Sequence, residues 1–210
     1  MQNMTYDSII FDLDGTLWDS TDTSARIWNE ICKDYPEVTE VVTADKLKSL
    51  FGKPLRDIGI ALFQSVSEER AVEIINDCCR RQGEFIAKEG GILYPQLEET
   101  LQELSKKYKL MIVSNCEDGY IESFFAAHGL QKYFTDYECP GRTGKLKADN
   151  IRIISERNGL KNPVYVGDTL GDATAAKEAG VPFIFAGYGF GEVKEYIARI
   201  ESIHELCEIL

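Results

Sequence analysis

Apolar positions along this chain change their spacing three times, and each change marks a different kind of element. Residues 6–11 form a short apolar run ending at Phe11, immediately followed by acids, which is the pattern of a buried strand. From about Ser20 to Lys88 the spacing is helical almost throughout, with no convincing strand. Asp19 or Ser20 can cap a helix carrying Ala25, Ile27, Trp28 and Ile31, which Tyr35-Pro36 ends. Thr43 can cap a second helix through Leu47, Leu50 and Phe51, terminated by Gly52-Lys53-Pro54. A third spans about Pro54 to Phe63. Ser67-Glu68-Glu69 opens a longer one with Val72, Ile75, Cys79, Phe85 and Ile86 on its apolar stripe, closed by Gly90-Gly91.

After Gly91 strands and helices alternate. Strands are predicted at 109–114, 134–138, 163–167 and 181–186, and helices at about 95–107, 117–128, after Lys147, after Asp168 and at 203–210. Such βα alternation implies a parallel sheet with right-handed crossovers and helices on both faces. The first strand belongs to the same sheet, so the chain reads as an α/β core of residues 1–17 and 91–210. Residues 18–90 are then an α-helical insertion, with hinges near Leu17–Ser20 and Glu89–Ile92. The insertion leaves the sheet beside a strand's C-terminal end, where open α/β sheets bind ligands.

Composition narrows the class without naming a function. The chain has 210 residues, 44% hydrophobic and 28% charged, as ordinary globular proteins do. No apolar run is long enough to cross a bilayer, and no basic segment with an apolar h-region opens the chain. The formal net charge of −12 argues against nonspecific binding to nucleic acid or an anionic membrane. Six cysteines show no CxxC pair and no metal-type spacing, which fits a reduced, cytoplasmic protein. Asn3-Met4-Thr5 matches a glycosylation acceptor by composition only. A phosphorylated small molecule stays compatible with the acidic charge, because a few cations and backbone N–H groups suffice to hold one phosphate.

Candidate chemistry gathers at the predicted strand ends. Asp12-Leu13-Asp14-Gly15-Thr16 follows the first strand. Asp12 and Asp14 lie two residues apart and so point the same way. Two adjacent carboxylates need a cation or a shared proton, an arrangement that suits a magnesium-assisted nucleophile beside a general acid; a polar turn with incidental acids is the plainer alternative. Ser114-Asn115 ends the second strand and could equally cap a helix. Lys147 precedes the helix of Ile151, Ile153 and Ile154, or is a solvated surface lysine. Asp168 and Asp172, within Gly167-Asp168-Thr169-Leu170-Gly171-Asp172, could cap the next helix. Taken together, the four clusters would converge on one edge of one sheet.

In order and spacing these motifs resemble those of the haloacid dehalogenase-like (HAD) superfamily, and the resemblance covers nearly the whole chain. A helical cap lies between the first and second motifs, as in the phosphoglycolate phosphatase-like branch. The resemblance implies a Rossmann-like core and a phosphatase acting on a small phosphorylated metabolite, such as phosphoglycolate, a sugar phosphate or a nucleotide. It assigns Asp12 as the nucleophile that becomes an aspartyl-phosphate and Asp14 as the general acid and base. Ser114, Asn115 and Lys147 would hold the phosphoryl group, with Lys145 the competing candidate for the lysine. Magnesium would be held by Asp12, the Asp14 backbone carbonyl and Asp168, with Asp172 orienting a metal-bound water. On the cap, Lys53 and Arg56 are candidates for substrate contact.

The acids also separate relatives. Dehalogenating members lack the Asp14-type acid and the magnesium site, and phosphonate-cleaving members replace that acid. A sugar phosphomutase on the same core remains an alternative, as does a noncatalytic binding or regulatory protein. His128 and His204 are expected to be structural. Gly187-Tyr188-Gly189-Phe190-Gly191 lacks dinucleotide-fingerprint spacing and is expected to be a flexible loop after the last strand; Gly141–Lys145 is too short for a P-loop.

Overall fold

The structure is a computed structural model describing residues 6–210; the Asn3-Met4-Thr5 triplet lies outside them. Six parallel strands form the central sheet in the order β5-β4-β1-β6-β7-β8. They are β1 (Ser8–Phe11), β4 (Lys109–Val113), β5 (Asp136–Glu138), β6 (Pro163–Gly167), β7 (Phe183–Ala186) and β8 (Ala198–Ile200). The strand nearest the N-terminus thus lies inside the sheet, and its residues are buried on both faces. Ile9 and Phe11 face one side with Leu110, Ile112, Val164 and Val166. Ile10 faces the other with Met111, Val113 and Tyr165. Each large apolar side chain buried this way contributes about 1.5–3 kcal/mol. That two-sided burial explains why β1 reads as a continuous apolar run rather than as an alternation.

Helices cover both faces. Helices α5 (Leu97–Leu104), α6 (Tyr120–His128) and α10 (Leu206–Ile209) close the first, and α8 (Lys147–Asn158) and α9 (Leu170–Ala179) the second. A short α7 (Pro140–Thr143) opens the stretch that is too short for a P-loop. Four more helices lie between β1 and β4: α1 (Thr21–Cys32), α2 (Ala44–Lys48), α3 (Leu55–Leu62) and α4 (Glu68–Glu89). They share an apolar core of their own that includes Trp28, Leu47, Ile58 and Ile75. Where this insertion leaves and rejoins the sheet, β2 (Trp18–Asp19) pairs antiparallel with β3 (Ile92–Leu93). This ribbon lies at the expected hinges but was not predicted, because two-residue strands carry no periodicity.

Two local expectations are corrected and one choice is decided. Helix α4 buries Ala71, Ile74, Ile75, Cys78, Gln82 and Ile86, whereas Phe85 is 53% exposed and Val72 only half-buried. The true stripe passes through a glutamine, because Gln82 Oε1 accepts the Trp28 indole N–H at 2.7 Å. At the start of α1, Asp19 Oδ1 accepts the Thr21 N–H at 3.0 Å, and Ser20 makes no side-chain cap. The Gly187–Gly191 loop does not follow the last strand, because β8 comes after it. His128 packs edge-on against Trp18, and His204 Nδ1 lies 3.1 Å from Thr100 Oγ1, so both belong to the packing. Among the described residues no helix is long and apolar enough to cross a membrane.

Candidate active site

Strands β4, β1 and β6 are neighbours in register, with Phe11 opposite both Ile112 and Val166. Their C-terminal ends therefore lie level, and the segments that follow, beginning at Asp12, Ser114 and Asp168, emerge side by side. Gly15 makes this possible. Its φ of +84° is a left-handed conformation that glycine adopts without strain, and a Cβ there would collide with the Asp168 carboxylate. The chain thereby turns sharply enough to bring the first acid pair against the last.

Asp12, Lys147, Asp168 and Asp172 form one buried cluster, each 5% exposed or less. Lys147 Nζ donates to Asp12 Oδ1 at 2.9 Å and to Asp172 Oδ1 at 2.6 Å. Lys145 is exposed, and no ion pair of its side chain occurs among the described residues. Of the two candidate lysines, only Lys147 enters the cluster. Asp172 also closes a capping box at the start of α9, its Oδ2 accepting from Thr169 N at 2.9 Å and Thr169 Oγ1 at 2.6 Å. The capping and functional readings of Asp172 are therefore both realised, with one oxygen serving each. Asp168 accepts from Phe190 N at 2.7 Å and from Thr16 Oγ1 at 3.3 Å. The donor Phe190 belongs to the glycine loop expected to be merely flexible. A Cβ on Gly189 would strike Asp168 and the Gly15 carbonyl, so the loop is packed onto the site.

Asp14 sits apart from that cluster. Its Oδ1 accepts from Ser20 Oγ at 2.6 Å and from the Tyr120 hydroxyl at 3.0 Å, and those two hydroxyls lie 2.8 Å apart. Neither partner was foreseen as part of the site. Ser20 carried a capping signal, and Tyr120 lies on a core helix with nothing in its spacing to distinguish it from a packing residue. Ser114 and Asn115 do not cap α6, which begins at Tyr120 behind Gly119. Ser114 is buried at the cavity floor. Asn115, expected on the phosphate, donates from Nδ2 to the Gly52 carbonyl at 2.8 Å and so ties the sheet edge to the insertion.

Burial raises the carboxylates. Desolvation, and then repulsion from Asp172, push Asp12 up to about 6 although Lys147 pulls the other way. Desolvation also lifts Asp14 to about 7, with the Ser20 and Tyr120 hydroxyls opposing it and Asp12 adding to it. Asp168 is raised well above the usual carboxylate range by burial and by its acidic neighbours. For Lys147 burial acts downward, but the Asp12 and Asp172 carboxylates outweigh it and keep the ammonium protonated. One buried lysine thus faces four buried or half-buried carboxylates, a surplus of negative charge that a cation would relieve. Oxygens of Asp12, Asp168 and Asp172 lie within 4.8 Å of one another, and an all-oxygen set of this kind fits magnesium. Both Asp172 oxygens are engaged by Lys147 and Thr169, whereas Asp168 is held by one backbone N–H and a longer 3.3 Å hydroxyl contact and Asp12 is held by Lys147 through Oδ1.

Asp12, Asp14, Ser114 and Asn115 border a cavity of about 880 Å³ whose far wall comes from the insertion. That wall includes Phe51, Leu55, Asn76 and Arg80. Lys53 and Arg56, expected to contact substrate, do not line it. Both are exposed, and Arg56 pairs with Glu68 at 3.3 Å. The cation that does reach the cavity is Arg80, on α4, which the glycine–proline turn signal could not point to.

A family profile described as haloacid dehalogenase-like hydrolase matches residues 9–186. The chain belongs to that family. It is 27% identical to a phosphoglycolate phosphatase of Vibrio parahaemolyticus, over 96% of this chain and 95% of the relative. Among solved structures, a predicted phosphoglycolate phosphatase from Haemophilus somnus superposes with a TM-score of 0.84 at 21% identity, covering 99% of each chain. A CbbY mutant from Rhodobacter sphaeroides in complex with xylulose-1,5-bisphosphate gives 0.76 at 19% identity, covering 96% of each. Both solved structures share the fold described above, a parallel sheet with flanking helices.

Proposed function

We propose that the chain is a magnesium-dependent phosphatase that hydrolyses a small phosphorylated metabolite through an aspartyl-phosphate on Asp12. One observation carries the reading: the carboxylates of Asp12 and Asp14 border the same cavity but are held differently, one by a lysine and one by two hydroxyls. The naming of the relatives as phosphoglycolate phosphatases supports a phosphate ester as substrate.

In the first step Asp12 attacks phosphorus opposite the ester oxygen, and the P–O bond to the leaving group breaks. Asp14 gives its proton to the departing oxygen. In the second step Asp14, now a carboxylate, takes a proton from water, which attacks the phosphoryl group and frees Asp12. An acid lifted to about 7 suits both directions of transfer near neutral pH. Lys147 and Ser114 would neutralise charge building on the phosphoryl oxygens, and Asp172 would keep the lysine in place. Asp12, the Asp14 carbonyl and Asp168 would hold magnesium, which when bound screens the phosphate from the surrounding carboxylates. The insertion, tied down through Asn115 and Gly52, would act as a cap that excludes water.

The test is phosphate release from a panel of esters, with magnesium and with EDTA, alongside Asp12→Asn. Metal-dependent release, lost in Asp12→Asn, is expected, together with an acid-stable mass increase of one phosphoryl group on rapidly quenched wild-type enzyme. Isomerisation of a sugar phosphate without net release would instead make the protein a mutase, and neither activity would leave a binding role.

A further inference from the structure

The charged groups around the cavity are matched in a way that bears on the leaving group. Arg80, the cap cation on its wall, pairs with Asp77 one turn earlier. Asp77 in turn accepts from Tyr35 at 2.8 Å and from Arg81 at 3.2 Å. Glu73 pairs with Arg70 at 2.8 Å, and Asp118 faces Arg142 at 3.7 Å. At the floor, Lys147 is already shared between Asp12 and Asp172. Glu117, at the mouth beside Ser114 and Asn115, has no ion pair among the described residues. An anion entering beyond the phosphate subsite therefore meets no unmatched cation and one unmatched carboxylate.

Size and lining point the same way. The cavity of about 880 Å³ is far larger than a two-carbon acid requires, and lies within the roughly 300–1,000 Å³ range of sites for ligands of drug size. Its cap wall offers the half-buried Phe51 and Leu55, backed by the buried Trp28 and Ile58. This volume belongs to a docked cap, since Asn115 already holds Gly52 and Ser123 Oγ reaches the Gly83 carbonyl at 3.4 Å.

We infer that the substrate is the phosphate monoester of an uncharged, ring-bearing alcohol with no second anionic group, and that Glu117 enforces this selection. The inference rests on the phosphatase reading above, and it separates this chain from a strict phosphoglycolate specificity. The ring packs on Phe51 and Leu55 while Glu117 repels a carboxylate or second phosphate.

The decisive measurement compares kcat/KM for 4-carbamoylbenzyl phosphate and 4-carboxybenzyl phosphate, a nearly isosteric pair whose methylene insulates the leaving oxygen from the substituent. Phosphoglycolate is measured alongside. The amide is expected to be preferred by about three- to tenfold, in line with one carboxylate–carboxylate repulsion at the exposed Glu117. Glu117→Gln is expected to narrow that ratio severalfold, and Phe51→Ala to raise KM for the amide ester. Equal rates, a preference for the carboxylate or for phosphoglycolate, or an unchanged ratio in Glu117→Gln would overturn the inference while leaving the phosphatase standing. If none of the esters releases phosphate with magnesium present, the phosphatase reading fails and this inference with it.

Discussion

The sheet edge and the cap wall face each other across one cavity, yet they hold their charges in opposite ways. At the sheet edge Asp12, Lys147, Asp168 and Asp172 are almost fully buried, and the bonds Lys147 makes to Asp12 and Asp172 and Phe190 N makes to Asp168 join segments distant in sequence. On the cap wall Arg80 and Glu73 are largely exposed and pair with neighbours a turn away on the same helix. Buried groups in a low-dielectric setting interact strongly and cannot be exchanged singly without leaving an unpaired charge. Exposed pairs of the cap kind contribute about 0–1 kcal/mol each. The difference teaches where the constraint lies: a single substitution at the edge strands a buried charge, whereas one on the cap wall exposes a charge to water.

Substitutions at the edge should therefore cost far more than those on the wall. The largest effect is expected for Asp12→Asn, which should lower phosphate release by at least about 1,000-fold, because a carboxamide cannot serve as the nucleophile. Circular dichroism should show an unchanged fold, and residual activity above that level would remove Asp12 from its role. Next comes the pair of lysines. Lys147→Ala should lose about 100-fold or more in rate and about 3–5 kcal/mol in stability, since it strands Asp12 and Asp172. Lys145→Ala should stay within about twofold on both counts, and comparable losses in the two variants would erase the distinction between buried and exposed charge.

Metal linkage sharpens the same contrast without using activity. Magnesium at 100 times its Kd should stabilise the wild-type fold by about 2.7 kcal/mol, seen as a rise in Tm that EDTA reverses. Asp168→Asn should lose most of that rise, and an undiminished shift would move the cation elsewhere. Smaller again, Tyr120→Phe should reduce kcat by roughly three- to tenfold with KM little changed, as expected for one of two hydroxyls positioning Asp14. A change confined to KM would instead put Tyr120 against the substrate. The least effect is expected for Arg56→Ala, within about twofold in kcat/KM for every ester, since its partner is the exposed Glu68.

Much of this arrangement was legible in the residues. The apolar run before Asp12 marked β1, and the switch from strand to helical spacing and back marked the insertion and its return near Gly91. The two acid motifs carried Asp12, Asp14, Asp168 and Asp172, because each is a short local pattern tied to a strand end. Lys147 was preferred over Lys145 from its position ahead of an apolar helix, and its burial agrees. What escaped had no local signature. Ser20 and Tyr120 converge on Asp14 from positions 100 residues apart, the Phe190 N–H reaches Asp168 from a loop resembling a linker, and Asn115 grips the cap rather than facing a phosphate.

The sequence by itself determined the layers, the sheet edge at which the candidate residues gather and the acids placed there. Burial patterns and strand-end motifs are properties of consecutive residues, so they are written along the chain. Only the tertiary structure decided which hydroxyls position the acid, which cap residues border the cavity and which charges there are already matched. Those depend on distances between elements that the chain brings together from far apart. A glycine–proline turn made Lys53 and Arg56 look poised for substrate, whereas the docking of α4 against the core brings Arg80 to the cavity and matches it with Asp77.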